Sequence, residues 1–60
     1  MKCNYKNSLQ VCRGDGQAHF HVTVFYKNGE RDDLMLCVEC TKYVTSDARE
    51  HGHEWEVMIL

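Results

Sequence analysis

Four cysteines constrain this chain more than any other feature, because it has only 60 residues in which to use them. A chain of this length makes one small domain, taken here over residues 1–60. Such a domain buries only roughly 60% of the surface its unfolded form exposes. That core is marginal, and small domains commonly add a staple: disulfides, a metal or a partner chain. Cys3, Cys12, Cys37 and Cys40 can supply one. The last two stand as C-x2-C in "LCVECTKYV", where they are either a redox couple or half of a metal site.

The compartment bears on that choice. "MKCNYKNSLQVCRGDG" has no apolar stretch behind its early lysine, so it does not read as a secretory signal. No apolar run approaches the ~20 residues of a membrane span. The expected location is therefore the cytosol, where stable disulfides are disfavoured. Four thiols in such a chain read as ligands for one structural zinc, since four thiolates close its tetrahedral shell. Eight residues separate Cys3 from Cys12, and 24 separate Cys12 from Cys37. Structural zinc pairs usually enclose only about two to four residues, so Cys37 and Cys40 are the stronger half. Cys3 is the weaker ligand, with His19 or His21 as its alternative. The redox reading leaves Cys3 and Cys12 unexplained, and it belongs to a larger α/β scaffold.

Between the cysteine pairs the pattern is that of a hairpin. "HFHVTVFY" alternates, with Phe20, Val22, Val24 and Tyr26 on one face and His19, His21, Thr23 and Phe25 on the other. Asn28-Gly29 then marks a turn. A three-residue loop, Lys27-Asn28-Gly29, opposes Val22 to Leu34 and Phe20 to Leu36; a two-residue turn separates Leu34 and Leu36 from the Phe20 face. The longer loop is preferred, with Gly29 left-handed at a bulge. Asp32 and Asp33 are expected in frayed, solvated pairing. A helix follows, with Cys37, Cys40, Val44, Ala48 and His51 on one stripe and Gly52 just past its end. "HEWEVMIL" reads as a short last strand with Trp55, Val57 and Ile59 on one face, expected to cover part of the face that carries Phe25.

The order of these parts, with "CRG" at residues 12 to 14 and "LCVEC" at 36 to 40, resembles the treble-clef zinc fingers. The resemblance covers residues 3 to about 51. It implies a small metal-stabilised α+β fold: zinc knuckle, β-hairpin, one α-helix and a short C-terminal strand. It also implies one structural Zn²⁺ held by two cysteines of the knuckle and two at the helix start. Small bacterial and phage proteins of this shape are often adaptors or regulators, whereas the fold alone fixes no activity.

The remaining motifs favour binding over catalysis. No nucleophile–base set or phosphate loop is present, so an enzyme is not expected. His51 and His53, bracketing Gly52, could form a second metal site or simply face solvent, and "RGD" at 13 to 15 reads as a turn. The formal charge is −2, and four thiolates around one Zn²⁺ bring it to about −4, which disfavours phosphate-driven affinity. Residues 1 to 29 carry Lys2, Lys6, Arg13 and Lys27 against Asp15 alone, so a basic knuckle with Tyr5 keeps a nucleic-acid finger as the alternative. A protein partner or self-association is the first expectation. It would engage the apolar side chains such a chain cannot all bury: Phe25, Trp55, Met58 and Leu60.

Overall fold

A computed structural model describes residues 2–5, 12, 14 and 16–60. Lys6 and Arg13 of the expected basic knuckle, and two of the three "RGD" positions, lie outside the described residues. The described chain is α+β, in the order β1 (Phe20–Phe25), β2 (Arg31–Leu36), α1 (Val38–Glu50) and β3 (Glu54–Ile59). The three strands form one antiparallel sheet in the order β2-β1-β3, so the first strand is the central one.

The hairpin adopts the three-residue loop. Val22 stands opposite Leu34 and Phe20 opposite Leu36. The Tyr26 amide donates to the Glu30 carbonyl at 2.8 Å and the Gly29 amide to the Tyr26 carbonyl at 3.0 Å. Gly29 sits at φ +92°, a left-handed value that a side chain disfavours. That choice of loop puts Leu34 and Leu36 on the helix side with Val22 and Phe20, and leaves Met35 on the outer face opposite His21.

Asp32 and Asp33 are exposed, as expected, but their pairing is not frayed. The ladder runs on to Phe25 opposite Arg31, and both carboxylates are engaged. Thr23 Oγ1 donates to Asp33 Oδ1 at 2.8 Å, His21 Nε2 lies 3.0 Å from the same oxygen, and Arg31 Nε is 3.5 Å from Oδ2. The Thr23 and His21 contacts hold the Asp33 carboxyl below its usual range. Tyr26 Oη donates to Asp32 Oδ2 at 2.6 Å, and this bond, with some burial, pushes the phenol up to about 12. A raised folded value favours the neutral phenol. Its contribution is therefore present below the unfolded value of 10.0 and is lost as pH rises through about 12. In an absorbance titration Tyr26 should ionise late, at about 12, and Asp32→Asn should bring it forward; an unchanged titration in that variant would show that the bond is not formed.

Helix α1 begins and ends on defined caps. Cys37 is the N-cap, with φ −71°, ψ 172°, and its sulfur accepts from the Cys40 amide. At the other end the His53 amide donates to the Ala48 carbonyl (2.8 Å) and the Gly52 amide to the Arg49 carbonyl (3.1 Å), the paired bonds of a Schellman stop. The buried stripe is Cys37, Cys40 and Ala48, with Val44 half-buried. His51, expected on that stripe, is exposed at the C-cap, with Nδ1 2.9 Å from the Asp47 carbonyl.

Strand β3 also departs from expectation. Val24 opposes Trp55, Val22 opposes Val57 and Phe20 opposes Ile59. Paired residues point to the same side, so Trp55, Val57 and Ile59 extend the helix-facing layer rather than covering Phe25. Arg49 lies over the half-buried Trp55 ring, 6.0 Å from its centroid. The helix does not reach the far end of the strand, where Val57 is 43% and Ile59 85% exposed. Among the described residues the fully enclosed core is Val22, Val24, Leu36, Cys37, Cys40 and Ala48. Three large aliphatic side chains buried this way contribute about 5–9 kcal/mol of transfer free energy, which is little for a domain. Two of the six core residues are thiols.

Candidate metal centre

Three separate pieces of backbone bring the thiols together. Cys37 and Cys40 come from the first turn of α1, where C-x2-C puts both on the inner face. Cys12 comes from the segment before β1. Cys3 is positioned by main chain: its amide donates to the Gly16 carbonyl (2.9 Å), Lys2 bridges Gln17, and the Asn4 amide donates to the Met35 carbonyl on the edge of β2 (2.8 Å). The Asn4 side chain returns the bond, accepting from the Met35 amide at 2.9 Å.

The four sulfurs lie within 4.8 Å of one another. Cys12 Sγ is 3.3 Å from Cys37 Sγ and 3.7 Å from Cys40 Sγ. A tetrahedral Zn²⁺ with bonds of about 2.3 Å separates its sulfurs by about 3.8 Å, so the donor set has the size of that shell. None of the four cysteines is in a disulfide. Among the described residues this is the group of ligand-type side chains close enough to share an ion, and it contains neither His19 nor His21. His21 alternates with the buried Val22, which turns it to the outer face of the sheet beside Asp33. His51 and His53 stack at 6.1 Å between centroids, and His53 Nδ1 accepts from the Lys27 amide at 3.3 Å.

Backbone amides prepare the sulfurs for negative charge. The Cys40 amide points at Cys37 Sγ (3.4 Å), adding the positive end of the helix to the site. The Gly14 amide, helped by the Cys37 thiol, pulls Cys12 down to about 7, while burial pushes Cys37 up. Without an ion, Cys12 is thus favoured as the thiolate and Cys37 as the thiol, and the two sulfurs share protons across 3.3 Å. A positive ion replaces those shared protons, and its binding releases them.

Gly14 is needed for space. A Cβ at that position would lie 2.8 Å from Cys37 Sγ and 3.5 Å from the Glu39 Cβ. Gly14→Ala keeps the amide that faces Cys12, so it tests the fit alone. Metal affinity in a competitive chelator titration should fall on the order of 10- to 100-fold, as for other residues that support ligands. Wild-type affinity in that variant would mean that the knuckle stands further from the helix than described.

The residues expected to meet a partner are placed unequally. Phe25 and Trp55 are half-buried, whereas Met58 (63%) and Leu60 (54%) are well exposed. Val57 and Ile59 join them, and sequence reasoning had set both aside as cover for Phe25. No local signal in the sequence marked them as exposed, since alternation fixes the face and not its cover. Tyr5, considered as part of a nucleic-acid face, packs edge-on to Tyr43 at 5.8 Å between centroids. No described helix is long and apolar enough to cross a membrane.

A small α+β chain with four clustered thiols defines a structural metal-binding module. No family model, curated protein or solved structure matches it.

Proposed function

We propose that this chain is a non-catalytic module folded around one Zn²⁺, and that it works by contact with a protein as an adaptor or regulator. One observation carries the metal reading: four sulfurs within 4.8 Å in a chain whose enclosed core holds only six residues among those described. Four thiolates leave no open position on zinc, so the ion would hold structure rather than activate water. The order of knuckle segment, hairpin and helix-start C-x2-C supports a treble-clef-like arrangement. Four thiols outside any disulfide suit a reducing compartment such as the cytoplasm. Contact with a protein is supported by the exposed apolar end of β3 and by a charge of the wrong sign for a phosphate backbone.

Elemental analysis of protein purified without added metal tests the reading. About one zinc per chain is expected, as for any closed four-thiolate site. A folded protein with no metal and its cysteines oxidised in pairs would remove it.

A further inference from the structure

We infer that two copies of this chain pair β3 against β3, antiparallel and centred on Val57, to make one continuous sheet. This rests on the protein-contact reading above and gives it a partner, a second copy of the same chain.

The backbone sets the terms. The Leu60 amide donates to the His19 carbonyl at 3.1 Å, in line with the β1–β3 register. Bonding alternates along an antiparallel strand. Residues 58, 56 and 54 therefore turn their amides and carbonyls towards β1, and Trp55, Val57 and Ile59 turn theirs outward. Among the described residues no strand pairs with that outer edge. The opposite edge of the sheet is capped, because Asn4 takes both the amide and the carbonyl of Met35. Edges left open are normally blunted by proline, lysine or a bulge. "VMIL" carries neither residue, and the register of β3 runs unbroken from Glu54 to Ile59.

Symmetry and charge then choose the register. A two-fold axis through the sheet must oppose residues of the same face, so it passes through a residue position. Centred on Val57, it opposes Trp55 to Ile59, Glu56 to Met58 and Glu54 to Leu60. All three outward residues meet outward residues, and no acid faces an acid. Centred on Glu56, it would set two carboxylates face to face, which is destabilising. Centred on Met58, it would oppose Val57 to Ile59 and carry Trp55 past Ile59, the last residue of β3. The Val57 register also covers the exposed side chains: Val57 meets its own copy, flanked by two aromatic–aliphatic pairs of Trp55 with Ile59, on the layer that carries both helices.

Sedimentation equilibrium of the metal-loaded protein, from micromolar to near-millimolar concentration, tests the pairing. The expected mass at the upper end is twice that of one chain. Val57→Pro removes only an outward amide, and edge strands tolerate proline there. It deletes two symmetry-related hydrogen bonds, so the dimer should weaken roughly thirtyfold, each bond being worth about fivefold. Ile59→Glu changes a side chain that is 85% exposed in the single chain, and should give a monomer with unchanged metal content. A wild-type monomer at every concentration, or a dimer that both variants leave intact, overturns the pairing. So does a monomer that instead floats with neutral phospholipid vesicles, which would assign the strip to lipid. Either result with one zinc still bound leaves the metal reading standing, whereas a folded protein without metal would count against that reading and not against the pairing.

Discussion

A strong chelator should unfold this protein. The enclosed core is small, and Cys37 and Cys40 sit inside it at 1% exposure each. Without an ion those sulfurs make only weak contacts with Cys12, at 3.3 and 3.7 Å. A structural zinc contributes on the order of 10 kcal/mol to folding near neutral pH, comparable with the whole net stability of an ordinary domain, about 5–15 kcal/mol. A strong chelator should abolish the far-ultraviolet helix and strand signals, and returning one equivalent of zinc should restore them. Acid should act in the same direction, because binding releases thiol protons and affinity falls as pH falls. Secondary structure and thermal melting that survive metal removal would show that the hairpin and helix stand without the ion.

Replacing Cys37 by serine should have nearly the same effect, and for a reason that can be isolated. Cys37 has two roles: its sulfur belongs to the cluster, and it caps the helix by accepting from the Cys40 amide. Serine is among the preferred N-caps, so Cys37→Ser preserves the cap and removes only the thiolate. In chelator the variant and wild type should be equally unfolded. With zinc present, wild type should fold and Cys37→Ser should not. A variant that folds with zinc at wild-type affinity would mean that three sulfurs and another donor suffice. Cys3→Ser in the same assay shows whether the main-chain tether of Cys3 delivers a real ligand or only a neighbour.

Local rules made much of this fold legible. The parity of "HFHVTVFY" against "LML", with a glycine at the turn, allowed only one loop length that kept Val22 and Leu34 on the same side. The helix stripe and its stop at Gly52 followed from three- and four-residue spacing. What could not be read was non-local. Nothing in "EWEVMI" says that it adds to β1 with Trp55 beside Val24, because that choice depends on where the helix lies across the sheet. The ordered pairing of Asp32 and Asp33 was missed because their partners, Tyr26, Thr23 and His21, are neighbours only across the strands. The weakness of Cys3 as a ligand had the same origin. Its place is set by amide bonds to Gly16 and by Asn4 on Met35, and main-chain bonds leave no mark on residue identity. The exposed end of β3 was missed because hydrophobic alternation tells which residues share a face, and not how far the helix covers it.

The strand order has a consequence for how the molecule is assembled. Phe20 meets Leu36, 16 positions away, but meets Ile59 across 39 positions. Closing the longer loop costs more chain entropy and comes later. All four sulfurs lie ahead of β3 in the chain, between residues 3 and 40. The third strand is therefore not needed to bring the sulfurs together, and the hairpin and the first turn of the helix can gather them before it pairs. The third strand is then laid onto a template that is already rigid.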